Sequence, residues 1–393
     1  MRKESSGFKK AQRLEKLPVY LFAQLDEAKR KLEEKGVDVI DLGVGDPDVP
    51  TPSPIIDRLV KAAKDPQNHR YPPYEGLLSF REEVARWYLR RFGVSLDPEK
   101  EVMTLIGSKE GIAHICLGLL DPGDLALVPE PAYPVYQAGV IFAGAQPYYM
   151  PLLEDNGFLP SLGDINPEVA LQAKLMWINY PNNPTAATVD VDFFREVVEF
   201  ARRYNIVLCH DLAYSELSYD GYRAPSLLQV EGAKEIAVEF HSLSKSFCMT
   251  GWRIGFAVGN KDLLGALKGV KTNIDSGVFQ AVQEAGEEAL RMGEELISRI
   301  REIYRRRRDF FVQGLKDLGW EVSLPRATFY LWIKVPENGS SFDFARTLLE
   351  KCGIVVTPGV GFGPSGEGYI RVALTVDEER LKEALDRLEK VNS

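Results

Sequence analysis

Short apolar runs recur through the middle of the chain, at residues 102–106, 125–128, 175–179, 206–209, 236–240 and 254–258. They are rich in Val, Ile and Leu and show little polar alternation, the pattern of strands buried on both faces. Helix-like segments separate several of them. The spacing predicts an α/β fold with a mostly parallel sheet covered by helices on both sides. Ahead of it, residues 23–34 read as a charged amphipathic helix and residues 37–42 as a short strand. Gly43-Val44-Gly45-Asp46-Pro47 is a turn-rich exit from that strand, where a glycine also lets the backbone approach a ligand. Tyr71-Pro72-Pro73-Tyr74-Glu75-Gly76 is a rigid loop before an amphipathic helix over 78–91.

Beyond residue 258 a helical pattern covers 278–318, then strand 329–335, helix 342–351, strand 369–374 and helix 376–391. This second pattern predicts a smaller α+β domain. The expected division is an N-terminal segment (1–48) packing with the small domain, a large domain (49–285) and the small C-terminal domain (286–393). The basic run Arg305 to Arg308 reads as a solvated helix face balanced by nearby glutamates. Gly359, Gly361, Gly363, Gly366 and Gly368 lack the strand-to-helix setting of a dinucleotide loop and read as a flexible approach to the strand at 369–374.

Composition narrows the function. With 393 residues, 45% apolar and 27% charged, the chain reads as a soluble globular protein with a sizeable core. A net charge of −9 argues against general nucleic-acid binding, which needs a basic face. Cys116, Cys209, Cys248 and Cys352 are dispersed and are expected to be buried, reduced thiols. His69, His114, His210 and His241 show no metal spacing, so no metal is expected, and neither a G-x-S-x-G elbow nor a Walker loop occurs. The N-terminus is charged, and no run approaches ~18 apolar residues, so a cytoplasmic protein with no membrane partner is expected.

In parallel sheets of this kind ligands sit beyond the carboxyl ends of the strands. Ser108-Lys109, Asn183, Asp211 and Ser242 to Lys245 all fall at such ends. Lys245 follows two serines and precedes Arg253 by eight residues. An amine becomes a nucleophile toward carbonyls when burial or nearby cations lower its pKa, while Ser242, Ser244 and Arg253 suit an anion. A solvated loop lysine is the plain alternative. Ser108 opens a helix whose free N–H groups make an anion pocket, or simply caps it, and Lys109 is equally a first-turn surface residue.

Asp211 ends a buried strand; it caps a turn there, or holds the nitrogen of a pyridine ring protonated. Tyr214 three residues on, and Asn183 in the turn Tyr180-Pro-Asn-Asn-Pro-Thr185, are placed to reach the same site. Tyr133 stacks on a flat ring or packs in a core. Arg371 lies in an otherwise apolar strand, where it needs either a ligand carboxylate or an internal acid.

Ser242, Ser244, Lys245 and Gly251-Trp252-Arg253, with Asn182 to Thr185, Asp211-x-x-Tyr214 and Tyr369-Ile-Arg371, occur in one order and spacing. Through these motifs the chain resembles, from end to end, the class I and II aminotransferases of fold type I, which depend on pyridoxal 5′-phosphate. The resemblance implies that Lys245 carries the cofactor through a Schiff base and shuttles a proton at the substrate carbon. Ser108, Lys109, Ser242, Ser244 and Arg253 would hold the phosphate, Tyr133 would stack on the ring, and Asp211 would pair with its nitrogen. Asn183 and Tyr214 would contact the phenolic oxygen, and Arg371 with the Gly45 backbone would bind the α-carboxylate. Tyr71 would reach the phosphate of a neighbouring subunit, which implies a homodimer with shared sites. Lys109, Tyr133, Asn183 and Tyr71 would also border the amino-acid and 2-oxo-acid substrates.

Gly107-Ser-Lys-Glu-Gly111, Asn273 to Gln280 and Ala327-Thr-Phe-Tyr330 look most like the branch that acts on LL-diaminopimelate and 2-oxoglutarate in lysine biosynthesis, and Tyr20 is similar to a substrate-contacting tyrosine of that branch. The plant-like members carry Y-G-x-E-Q-G, whereas here Tyr74 stands in the place of the glutamate, with Glu75 after it, and Ser276 stands where an asparagine is usual. An aspartate- or alanine-type aminotransferase is the alternative. A ligand-sensing regulator of the same fold would need a helix-turn-helix domain for which the first few dozen residues are too short.

Overall fold

The computed structural model describes residues 9–17, 22–336 and 339–392. After a short strand β1 (Ile40–Asp41), seven strands build the main sheet. They are β2 (Val102–Leu105), β3 (Leu125–Glu130), β4 (Gln146–Pro151), β5 (Ala173–Asn179), β6 (Val207–Asp211), β7 (Ala237–Ser242) and β8 (Gly255–Gly259). Their order is β2-β8-β7-β6-β5-β3-β4. Strands β3 to β7 pair in parallel, and β8 runs antiparallel to both β7 and β2. Each predicted run between 102 and 258 is thus a strand. The pattern did not foresee β4, whose sequence Gln-Pro-Tyr-Tyr-Met-Pro is half-buried and carries two prolines. Proline is tolerated there because β4 is an edge strand.

Side chains of a strand alternate between the two faces, and here both faces are covered. On β5, Leu175 and Trp177 join one core with residues of the helices Ser108–Leu119 and Val135–Phe142. Met176 and Ile178 join the opposite core, with the helices Leu78–Phe92 and Val191–Tyr204. The last of these is bounded by chemistry legible in the chain: Asp190 accepts from the N–H groups of Asp192 and Phe193, and Asn205 ends it in the left-handed conformation.

Because β8 is antiparallel, its start lies at the same edge as the ends of the parallel strands. Arg253, just before β8, therefore arrives beside Asp211 at the end of β6 and Ser242 at the end of β7.

The helical pattern over 278–318 is two helices, Gln280–Met292 and Glu294–Asp317, separated at Gly293 with φ 39° and ψ −108°. An antiparallel sheet β11-β12-β9 follows, from β9 (Tyr330–Lys334), β11 (Thr357–Pro358) and β12 (Tyr369–Ala373). The intervening strand β10 (Ile354–Val355) pairs in parallel with β1. A third core joins Ile40 and Leu42 to Tyr304, Phe311, Leu331, Ile370 and Leu381. Tyr214 and Leu217, just after Asp211, belong to this core too.

Two expectations are corrected. Only half of the basic run is solvated: Arg305 pairs with Glu302 and Asp309, and Arg306 with Glu378, at the surface. Arg307 and Arg308 are buried, the first against Asp48 and the second against Asp220 and Asp309. A helix turns ~100° per residue, so four consecutive residues cannot share one face. The glycine run is not loose either. It forms two 3-10 turns, Gly359–Phe362 and Pro364–Gly366, packed so closely that a Cβ on Gly359 would overlap the Gly366 carbonyl and lie 2.6 Å from that of Tyr369. All four cysteines are free and buried. Among the described residues no helix is long and apolar enough to cross a membrane.

Candidate active site

At the carboxyl edge of the sheet lies a cavity of about 430 Å³. Gly45, Ser108, Lys109, Tyr133, Asn183, Asp211, Tyr214, Ser242, Ser244, Lys245, Arg253 and Arg371 line it together. They come from elements far apart in the sequence, from Gly45 to Arg371. Tyr71 is not among them; it projects outward and is 87% exposed. Tyr20 lies outside the described residues.

Lys245 is not a solvated loop lysine. It sits in the short helix Leu243–Ser246 directly after β7, and its Nζ donates to the Gly45 carbonyl at 2.7 Å. Burial holds its pKa below the ordinary lysine value. Tyr330 and Asp46 pull it back up, and the guanidiniums of Arg371 and Arg253 lower it further. The result is an amine that gives up its proton more readily than a surface lysine.

Asp211 is 5% exposed. Burial pushes its carboxyl up to about 6, against a hydrogen bond from Tyr136, the neighbouring His210, the Ala213 backbone N–H and Lys245, which all act the other way. Tyr136 Oη donates to Oδ2 at 2.8 Å, while Oδ1 is buried with no partner. A buried carboxylate with one unmatched oxygen is costly, and such an orphan calls for a ligand donor. Asn179 secures the backbone beneath, donating to the Asp211 carbonyl at 2.8 Å and accepting from the Asn183 N–H at 2.9 Å.

A second group of residues suits an anion. The helix Ser108–Leu119 is capped by Gly107 at φ 73°, with no side-chain cap bond, so Ser108 is its first residue rather than its cap. Its free N–H groups face the cavity alongside Ser242, Ser244 and Arg253. Ser244 Oγ is buried without a partner. Any Cβ at Gly107 would overlap the Arg253 guanidinium, and one at Gly255 would lie 2.9 Å from the Ser108 nitrogen. The backbone is drawn in tightly around this spot. Lys109 is held over the Tyr133 ring, 5.7 Å from its centroid, and burial pushes the Tyr133 phenol up to about 12.

Arg371 is 7% exposed and reaches the opposite wall. It donates to Asn183 Oδ1 and to the Gly43 carbonyl, each at 2.8 Å, and lies over the rings of Tyr330 and Phe362. No carboxylate pairs with it among the described residues, and its Nε has no partner. The internal acid that would have explained it as a buried salt bridge is therefore not what it meets. The Asn183 carbonyl oxygen is turned to Arg371, which leaves its amide N–H₂ as the free end.

Tyr136 and Tyr330 also line the cavity, though neither was singled out as a site residue in the sequence. Tyr136 is the second residue of the helix Val135–Phe142, three residues after Tyr133, which lies in the loop before it. Tyr330 opens β9 and bonds Tyr214 hydroxyl to hydroxyl at 2.9 Å. Only its place across from Ala373, two residues beyond Arg371, brings it there.

A family model described as aminotransferase class I and II matches residues 37–388. LL-diaminopimelate aminotransferase of Moorella thermoacetica is 57% identical over 381 residues, 97% of this chain and 98% of the relative. The protein of the same name from Syntrophobacter fumaroxidans is 57% identical over 386 residues, 98% of this chain and 100% of the relative. Among solved structures, substrate-bound BacF of a Bacillus superimposes with a TM-score of 0.93 at 38% identity, covering 98% of each chain. The chain belongs to the class I and II aminotransferases.

Proposed function

We propose that this chain is an LL-diaminopimelate aminotransferase that holds pyridoxal 5′-phosphate at Lys245. It exchanges amino groups between LL-diaminopimelate and 2-oxoglutarate, in lysine biosynthesis. Near-full-length kinship with curated enzymes of that name carries the substrate assignment. The cavity supports the cofactor: its orphaned Asp211 Oδ1, its unpartnered Ser244 hydroxyl and its acidified Lys245 are the complements of a pyridine nitrogen, a phosphate and an aldehyde.

In this reading Ser108, Lys109, Ser242, Ser244 and Arg253 would grip the phosphate, and Tyr133 would lie against the ring. Asp211 Oδ1 would accept from the ring nitrogen, and Asn183 and Tyr214 would contact the phenolic oxygen. When bound, pyridoxal phosphate supplies an electrophilic carbonyl carbon and a cationic ring that withdraws electrons from the substrate's Cα. Arg371 binds the α-carboxylate through its planar fork, with the Gly45 N–H beside it. That grip orients the Cα–H bond toward Lys245. The Lys245 amine, whose proton burial loosens, takes the Cα proton as general base and returns it as general acid. Tyr133, Tyr136 and Tyr330 close the walls against water.

The reading also places the cofactor in a large domain, 49–285, beside a smaller one, 286–393, with segment 1–48 packed on the latter. Outward-projecting Tyr71 supports a homodimer in which each subunit reaches the other's phosphate, and the absence of a spanning helix among the described residues accords with a cytoplasmic enzyme. The test is transamination of 2-oxoglutarate with LL-diaminopimelate, against aspartate and alanine. Preference for LL-diaminopimelate by ~10²-fold or more in kcat/KM is expected; a better rate with aspartate or alanine would replace the substrate assignment.

A further inference from the structure

Arg307, one of the two buried arginines of the basic run, pairs with the end of a segment whose residues Val44 to Asp46 line the site. Segment 43–48 runs from the end of β1 past the cavity, and the side chains of other elements hold each of its first three carbonyls. The Gly43 carbonyl accepts from Arg371 and Thr357, at 2.8 Å each; that of Val44 from Thr375 at 2.7 Å; that of Gly45 from Lys245 at 2.7 Å. The segment then ends at Asp48, whose two carboxylate oxygens accept from Arg307 Nη1 at 2.6 Å and Nη2 at 2.8 Å. Tyr304 adds a longer contact to Asp48 Oδ1, at 3.4 Å.

Arg307 does more than pair with an acid. Its Nη1 also donates to the carbonyl of Leu374 at 3.2 Å, and Leu374 continues the strand that carries Arg371. One guanidinium thus ties the segment bearing Gly45 to the strand bearing Arg371. It is 5% exposed, lies over the Tyr304 ring and comes from a rigid 24-residue helix. A bidentate fork on a stiff support fixes both distance and angle, which a single lysine contact does not.

We propose that Arg307 and Asp48 form a positioning pair for the substrate-carboxylate pocket, holding segment 43–48 against the Arg371 strand so that Gly45 and Arg371 meet one carboxylate together. This rests on the reading of Gly45 and Arg371 given above. Neither member touches substrate or cofactor. Loss of the pair loosens the carboxylate grip and leaves cofactor attachment at Lys245 in place. The signature is a raised KM with a nearly unchanged kcat, the mark of weakened binding that ground state and transition state share.

Arg307→Met keeps the stem and removes the fork, and the Asp48 left behind is 31% exposed, so water can reach it. The expected result is a KM for the amino acid raised about 10-fold or more, with kcat within about threefold. Borohydride fixation of pyridoxal phosphate stays at the wild-type level. Amide-hydrogen exchange in the cofactor-free protein rises over 43–48. Arg307→Lys restores the charge without the fork and recovers only part of the KM. Should Arg307→Met fail to fold, Asp48→Asn still offers Arg307 an oxygen, and is expected to give the same split with a smaller rise.

An unchanged KM with unchanged exchange at 43–48 overturns the proposal. So does a matched fall of kcat and thermal stability with KM constant, which marks a purely structural pair. Loss of borohydride labelling in the wild type itself would instead overturn the reading of Lys245 and leave the exchange result to judge the pair.

Discussion

Asp211 is held in a state that the fold alone disfavours. Burial raises its carboxyl from the ordinary 3.8 to about 6. At about 1.4 kcal/mol per tenfold change in acidity, the ionised form costs the cofactor-free protein about 3 kcal/mol. The sign follows from proton counts. Between the two values the folded chain binds more protons than the unfolded one, so stability falls as pH rises through this window and stays low above it. Asp211→Asn keeps an acceptor for Tyr136 and removes the charge. The cofactor-free variant should therefore be more stable than wild type by about 3 kcal/mol at pH 8, and by about half that at pH 5. Urea denaturation of both proteins at the two pH values measures it. Saturating pyridoxal phosphate should reverse the ranking, because only the carboxylate repays its burial by meeting a cationic ring nitrogen. Equal stabilities at pH 8, or a gain that grows toward acid pH, would refute the reasoning.

Three further outcomes are expected. Gly45→Ala places a Cβ on the Tyr330 hydroxyl and 2.7 Å from its Cζ, in a ring already fixed by Tyr214 and Arg371. The forced displacement should lower kcat/KM by ~10²-fold, and activity within threefold of wild type would show that the segment yields freely. Arg371→Lys keeps a positive charge but loses the fork, so kcat/KM for amino acids should fall by roughly 10–10²-fold with the cofactor spectrum unchanged, as steady-state rates and absorption together can report. Tyr71→Ala and Lys245→Ala should each be inactive, yet unfolding and refolding them as a mixture should restore activity, because a mixed dimer holds one intact site; a mixture that stays inactive would mean the sites are not shared.

The main sheet was readable because β2, β3 and β5 to β8 are buried on both faces and so appear as unbroken apolar runs. The edge strand β4 was not, since an exposed edge tolerates prolines that elsewhere deny a strand. Gly293 was a visible break within the pattern at 278–318, but periodicity on both sides hid it. Within the site, Lys245, Asp211 and Asn183 were legible because a strand end is where such a fold places ligands. Tyr136 and Tyr330 were not: their hydroxyls matter through what they touch, Asp211 and Tyr214, and those contacts arise only on folding. Arg307 shows the same limit. Four arginines in a row look alike until the helix turns two of them inward.

Everything depends on one amine. Purified protein saturated with pyridoxal phosphate, reduced with borohydride, digested and mapped by mass should carry the pyridoxyl group on Lys245. A protein that retains no label, or carries it on Lys109 or Lys271 instead, would contradict the site and the chemistry built on it.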